Sequence, residues 1–299
     1  MTASVTVRVP AKVNVQLAVG GARPDGFHDL ANVFLAVSLY DEVTATPAAS
    51  LRITATGPDT DRVPLDRTNL AARAAELLAA RHGIAPDVHL HIAKDIPVAG
   101  GMAGGSADAA GALVACDALW GTGATREELL ALCAELGSDV PFSLVGGAAL
   151  GRGRGELLTP LHVGGTFHWV FAVADGGLST PAVYQEFDRL HEGRPVPAPE
   201  ASPLLLDALR TGDATALAPA LSNDLQAAAL SLRPSLTATL DAGTAAGALA
   251  ALVSGSGPTT AFLTKSAESA KAVSEAVLAS GTCRAVRVAC GPVAGAVVV

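Results

Sequence analysis

Apolar and polar residues alternate along Thr6-Val7-Arg8-Val9 and again along Val88-His89-Leu90-His91-Ile92. A period of two predicts half-buried strands. Other stretches carry helix signals. Thr68 or Asn69 stands where a helix can start, and the run closes at His82 before Gly83. An alanine- and leucine-rich run ends near Trp120 before Gly121, and Thr125-Arg126-Glu127-Glu128 reads as a capping box for a helix ending at Gly137. Asp139 then falls in a short loop before Pro141. Glycines at 146–147 and 151–155 punctuate the chain, which predicts a division into 1–155 and 156–299. Beyond it we expect strands at 167–174, 259–264, 284–289 and 294–299 and helices at 204–210 and 266–280, with a surface loop over 191–203. Strands and helices mix without a long βαβ series, so the expected class is α+β.

Composition narrows the functional classes. The 299 residues carry a net charge of −8 and no Lys/Arg-rich run, which argues against a nucleic-acid partner. Mean hydropathy is +0.40, raised by alanine. Residues 242–264 lack charge over a length that could span a bilayer, but serines, threonines, glycines and Pro258 divide them into an expected helix, loop and strand. No membrane partner is expected. The alternation at Thr6–Val9 predicts a strand instead of the apolar core of a signal peptide, so we expect a cytoplasmic location. Cys116, Cys133, Cys283 and Cys290 match no zinc or disulfide spacing and are expected as buried thiols. No histidine cluster suggests a metal site.

The stretch Pro97-Val98-Ala99-Gly100-Gly101-Met102-Ala103-Gly104-Gly105-Ser106-Ala107-Asp108 lies between an expected strand and an expected helix. Such a turn presents backbone N–H groups to a phosphate. It is not a Walker loop, because Ser106 stands where that motif needs lysine, and no GxGxxG can be read in it.

Three separated segments, Pro10-Ala11-Lys12-Val13-Asn14, the glycine-rich stretch, and Ser254-Gly255-Ser256-Gly257-Pro258-Thr259, together resemble the GHMP kinases, ATP-dependent kinases of small molecules. A narrower likeness within that family rests on Arg23-Pro24-Asp25-Gly26-Phe27-His28, Lys94-Asp95-Ile96-Pro97, Gly137-Ser138-Asp139-Val140-Pro141-Phe142, and Leu178-Ser179-Thr180-Pro181 with Tyr184. It implies an alcohol substrate that carries a cytidine diphosphate. Met102 replaces the family's usual leucine, Phe27 its common tyrosine, and Leu35 a residue that is polar in some relatives.

The resemblance implies an N-terminal domain like ribosomal protein S5 domain 2 and a ferredoxin-like C-terminal domain. It pairs Asp139 as general base with Lys12. It implies that Pro97 to Ala107 hold the ATP phosphates, with Asn69 and Lys94 on the nucleotide side, and that Mg²⁺ arrives as MgATP with no protein ligands evident. Phe27, His28 and Tyr184 would form the cytidine pocket, and Asn14 and Thr180 would contact the rest of the substrate. Two other readings stay open: a kinase of the same family acting on homoserine or mevalonate, and a non-catalytic nucleotide sensor. Oligomeric state is not legible.

Overall fold

Two long antiparallel strands, β1 (Val5–Ala22) and β2 (His28–Pro47), organise the first part of the chain. The computed structural model describes residues 4–299. Alternation along β1 separates Ala11, Val13 and Val15, which enter the core, from Lys12, Asn14 and Gln16 on the other face. Both sets are buried, so the period of two that continues from Thr6–Val9 through Leu17 does not mark a solvated face here. The β1–β2 register shifts between Pro10 and Ala11 and again between Asn14 and Gln16. Pro10, which has no N–H for the ladder, sits at the first shift.

β3 (Arg52–Thr56), α1 (Leu70–His82), β4 (Val88–Ala93), α2 (Gly104–Trp120), α3 (Arg126–Leu136), α4 (Val140–Val145), β5 (Ala148–Arg152) and β6 (Leu157–Pro160) follow. The apolar face of the sheet is covered by α1 and α2, whose alanines at 71, 72, 74, 75, 107, 109, 110, 112 and 115 are buried. Small side chains let α2 approach closely. A Cβ on Gly111 would lie 2.8 Å from Val43 Cγ2 and 2.9 Å from Val9 Cγ2. The alanine-rich composition is therefore a packing requirement at this layer.

The remainder comprises β7 (Phe167–Val173), α5 (Thr180–Leu190), α6 (Pro203–Thr211), α7 (Ala214–Leu217), β8 (Ser222–Asn223), α8 (Gln226–Leu232), α9 (Leu236–Ala245), β9 (Ala250–Val253), β10 (Thr260–Thr264), α10 (Ala267–Ala279), β11 (Ala285–Gly291) and β12 (Val297–Val298). A four-stranded antiparallel sheet runs β11-β7-β10-β9, and α10 packs Ala270, Val273 and Val277 onto Val170, Ala172 and Phe262. Its other face contributes Phe167, Trp169 and Phe171 to the apolar cluster that contains β1 and β2.

Several strand pairings and element bounds go beyond the expectations. β6 pairs with β5, β8 with β1, and β12 with β1, so the first sheet gathers strands from both sides of residue 155. Buried residues of the two sheets also fall in one apolar cluster. The uncharged run 242–264 contains an additional strand, β9, before the Ser254–Thr259 loop. Among the described residues no helix is long and apolar enough to cross a membrane. The strand expected at 294–299 shrinks to Val297–Val298, because Gly146 bridges Ala294 and the chain turns there. Thr125 accepts from Glu128 N, yet the reciprocal half of the capping box is not formed. Asp139 is the N-cap residue of the short helix α4. The thiols are unpaired, with Cys116 and Cys133 buried but Cys283 and Cys290 partly exposed.

Candidate active site

Lys12, on β1, is 4 % exposed and faces a cavity. Its Nζ donates to Asn14 Oδ1 at 2.6 Å and to the Gly101 carbonyl at 3.0 Å, and Asp139 Oδ2 lies 3.6 Å away. Asn14 in turn donates from Nδ2 to Asn32 Oδ1 at 2.7 Å. Burial lowers the pKa of Lys12, and the Asp139 carboxylate opposes that shift. Asp139 is about one-third exposed and caps no backbone N–H of α4, so its carboxylate is turned to Lys12 and the cavity.

The glycine-rich stretch crosses directly above. Ala99, Gly101 and Ala103 all have positive φ, at 53°, 77° and 61°. Alanine rarely adopts this region, and such strained positions cluster where a backbone serves a ligand. Gly101 admits no side chain: a Cβ there would stand 2.1 Å from the Ser254 carbonyl oxygen. The Ser254–Thr259 loop is held against this point by Ser254 Oγ donating to Gly101 O at 3.1 Å and Thr259 N donating to Gly100 O at 3.3 Å. Helix α2 starts at Gly104 with no side-chain cap. The N–H groups of its first turn are therefore free for an anion, and the positive end of the helix dipole lies with them.

These parts line a cavity of about 640 Å³, a size suited to a small-molecule substrate. Phe27, half exposed, lies across its rim with the Arg154 guanidinium 5.0 Å from its ring centroid. His28 is buried beside Tyr184, with ring centroids 5.0 Å apart. Burial, then the Asp139 charge, raises the pKa of the Tyr184 phenol, keeping it protonated. Thr180 and Ser256 share a hydrogen bond of 2.9 Å at the cavity wall.

Of the expected site residues, Lys12, Asn14, Phe27, His28, Ala99, Gly100, Gly101, Ala103, Gly104, Gly105, Ser106, Asp139, Thr180 and Tyr184 all line this one cavity. Asn32, Arg154 and Asp188 line it too and carry no motif signal. Pro97, Val98, Met102 and Ala107 support the loop from outside the cavity lining, Met102 as a fully buried side chain. Asn69 spends its side chain on the cap of α1, accepting from Ala71 N and donating to Pro64 O.

Lys94 is also placed differently from the expectation. Its ammonium is buried between Asp41 Oδ2 at 2.5 Å and Asp108 Oδ2 at 2.8 Å, and a Cβ on Gly104 would lie 3.3 Å from it. Asp41 Oδ1 further accepts from the N–H groups of Asp95 and Ile96. The triad ties β2, β4 and α2 together behind the glycine-rich stretch. Among the described residues Asp108 Oδ1 has no partner, and burial, opposed by Lys94, lifts its carboxyl from 3.8 to about 7.

Two outcomes follow from this triad. Lys94→Met strands two buried carboxylates and should cost about 3–5 kcal/mol in urea denaturation. Wild-type stability with a raised KM for ATP would instead return Lys94 to the nucleotide. Asp108 holds its proton more tightly folded than unfolded, so its contribution is complete below about pH 4 and is lost as pH climbs to about 7. Asp108→Asn should flatten that part of the stability–pH curve. An unchanged slope would mean that Asp108 is charged in the folded protein.

Comparison with known proteins agrees with this geometry. The chain matches the GHMP kinases N terminal domain over residues 69–147 and the GHMP kinases C terminal domain over residues 205–282. It is 81% identical over 295 residues to the 4-diphosphocytidyl-2-C-methyl-D-erythritol kinase of Streptomyces avermitilis, covering 99% of both chains. A crystal structure of 4-(cytidine 5'-diphospho)-2C-methyl-D-erythritol kinase superposes with a TM-score of 0.75 at 33% identity, over 95% of this chain and 98% of that one. Homoserine kinase from Cytophaga hutchinsonii shares the fold, with a TM-score of 0.76 at 20% identity over 100% and 98% of the two chains. With both halves matched and near-complete coverage by so similar a relative, the chain belongs to the GHMP kinase family.

Proposed function

We propose that this chain transfers the γ-phosphoryl group of ATP to the 2-hydroxyl of 4-diphosphocytidyl-2-C-methyl-D-erythritol, a step of the non-mevalonate route to isoprenoid precursors in the cytoplasm. One observation carries the reading. A single cavity holds the Lys12–Asp139 pair, the uncapped start of α2 and the Phe27–His28–Tyr184 group. The names of the relatives point to the same substrate.

The chemistry follows from the placement of charge. Phosphoryl transfer needs aligned reactants and neutralised phosphate oxygens more than covalent help from the protein. The free N–H groups at the start of α2, with Ser106, receive the ATP phosphates. The substrate hydroxyl lies at Asp139, whose carboxylate takes its proton. The alcohol oxygen bonds to the γ-phosphorus as the bond from that phosphorus to the bridging oxygen breaks, and ADP departs with the electron pair. Lys12 places positive charge beside Asp139 and beside the oxygen that receives the phosphoryl group. Its own position is held by Asn14 and the Gly101 carbonyl, so it is preorganised before either substrate binds.

Phe27 and Tyr184 offer ring faces to the cytosine, worth about 1–3 kcal/mol per stacked base. Thr180 and Asn14 face the diphosphate and methylerythritol part. Mg²⁺ belongs on the ATP phosphates in this reading. The described residues include no group of three or more acidic, imidazole or thiol side chains able to cage it.

A coupled assay of ADP release with MgATP and the cytidyl substrate, run beside homoserine and mevalonate, tests the assignment. Turnover of the cytidyl alcohol alone is expected, and turnover of another alcohol alone would discard it. Asp139→Asn should lower turnover at least about 100-fold while the KM for ATP stays near wild type. Near-normal turnover would remove Asp139 as the base. Replacing Phe27 and Tyr184 together by Ala should raise the KM for the cytidyl substrate more than that for ATP, and the reverse order would place the cytosine elsewhere.

A further inference from the structure

His28 begins β2, yet the residues that hold its ring all come from α5. Its Nε2 lies 2.9 Å from Asp188 Oδ1. Tyr184, one helical turn earlier, meets the ring at 37° with centroids 5.0 Å apart, and Phe187 meets it edge-on at 6.0 Å. His28 is 6 % exposed and lines the cavity, as does Asp188. His28 Nδ1 makes no hydrogen bond to the described residues, and the bond to His28 is the only one the Asp188 carboxylate makes among them. A helix on one side of the cleft thus dedicates a carboxylate to one imidazole on the other side.

We propose that Asp188 is a specificity-determining residue that sets the tautomer of His28 and so selects cytosine over uracil; the proposal rests on the cytidyl reading above. An ionised carboxylate can only accept a hydrogen bond. It therefore requires the proton of a neutral imidazole on Nε2, which leaves a lone pair on Nδ1. Cytosine presents an amino donor at its 4-position, where uracil presents a carbonyl acceptor. A ring nitrogen that can only accept receives the first and faces the second lone pair to lone pair. Without Asp188 the imidazole could move its proton to Nδ1 and donate to either pyrimidine at another acceptor atom.

The test reads the tautomer and the discrimination separately. In histidine-labelled protein at about pH 8, where an ordinary imidazole is neutral, the ring ¹⁵N–¹H spectrum should show His28 with its proton on Nε2 alone. Calorimetric titration should show CDP binding ~10-fold or more tighter than UDP. In Asp188→Leu the tautomers should mix and the CDP–UDP gap should shrink to within ~3-fold, while Asp188→Glu restores part of it. A gap that survives in folded Asp188→Leu overturns the proposal. So does a His28 ring that is doubly protonated, or protonated on Nδ1, in the wild type. Equal binding of CDP and UDP by the wild type, or binding of neither, overturns it as well. The wild-type measurements need no variant, so the proposal remains refutable if Asp188→Leu does not fold. Failure of turnover on the cytidyl alcohol would strike the proposed function and leave the tautomer reading to stand or fall by itself.

Discussion

An ammonium group removed from water needs acceptors, and Lys12 obtains them by drawing distant segments to one point. Asn14 comes from its own strand, the Gly101 carbonyl from the glycine-rich stretch, and the Asp139 carboxylate from the start of α4. A buried charge with incomplete pairing costs several kcal/mol. The same three contacts that remove this cost also fix how the strand, the loop and the short helix sit relative to one another. The Ser254–Thr259 loop closes the arrangement, and it reaches Lys12 only because Gly101 and Gly255 leave backbone against backbone. Catalytic geometry and packing of the cleft are consequently one constraint.

Behind that constraint lies a second buried cation with a different duty. Lys12 borders the cavity and keeps one carboxylate available to substrate, whereas Lys94 is enclosed by two carboxylates and serves the backbone around it. The difference is one of access. Asp139 is partly exposed where it meets Lys12, while Asp41 and Asp108 are sealed against Lys94. A lysine before a glycine-rich turn can therefore act as a keel for the loop without touching the phosphates.

Much of this was legible before the structure. The helix ends at Gly83, Gly121 and Gly212 fall where glycine takes a left-handed conformation, and the period of two marked β4 correctly. Of the segments that carry the family resemblance, those holding Lys12, Phe27, the glycine-rich stretch, Asp139, Thr180 and Ser256 converge on one cavity. What escaped depended on long-range pairing. Nothing near Lys94 in the chain reveals Asp41, and nothing near His28 reveals Asp188, 160 residues away. β9 escaped because Ala250, Ala251 and Leu252 suit helix and strand alike, and hydrogen bonding to β10 decides the matter. The buried polar face of β1 escaped because Lys12, Asn14 and Gln16 read as a solvated side until the glycine-rich stretch, Asp139 and the loop at Glu200–Ser202 reach them.

The first sheet takes its strands from almost the whole length of the chain. β8 lies beside β1 at Gln16–Leu17, and β12, at Val297–Val298, pairs with β1 at Val7–Arg8. β1 and β2 are neighbours in the chain, but the strand that borders β1 at Val7–Arg8 comes from the opposite end of the described residues. Long-range pairings of this kind close slowly. Until β12 arrives, that stretch of β1 is an exposed strand edge open to wrong partners. The protection of the first strand is thus left to one of the most distant pairings in the fold.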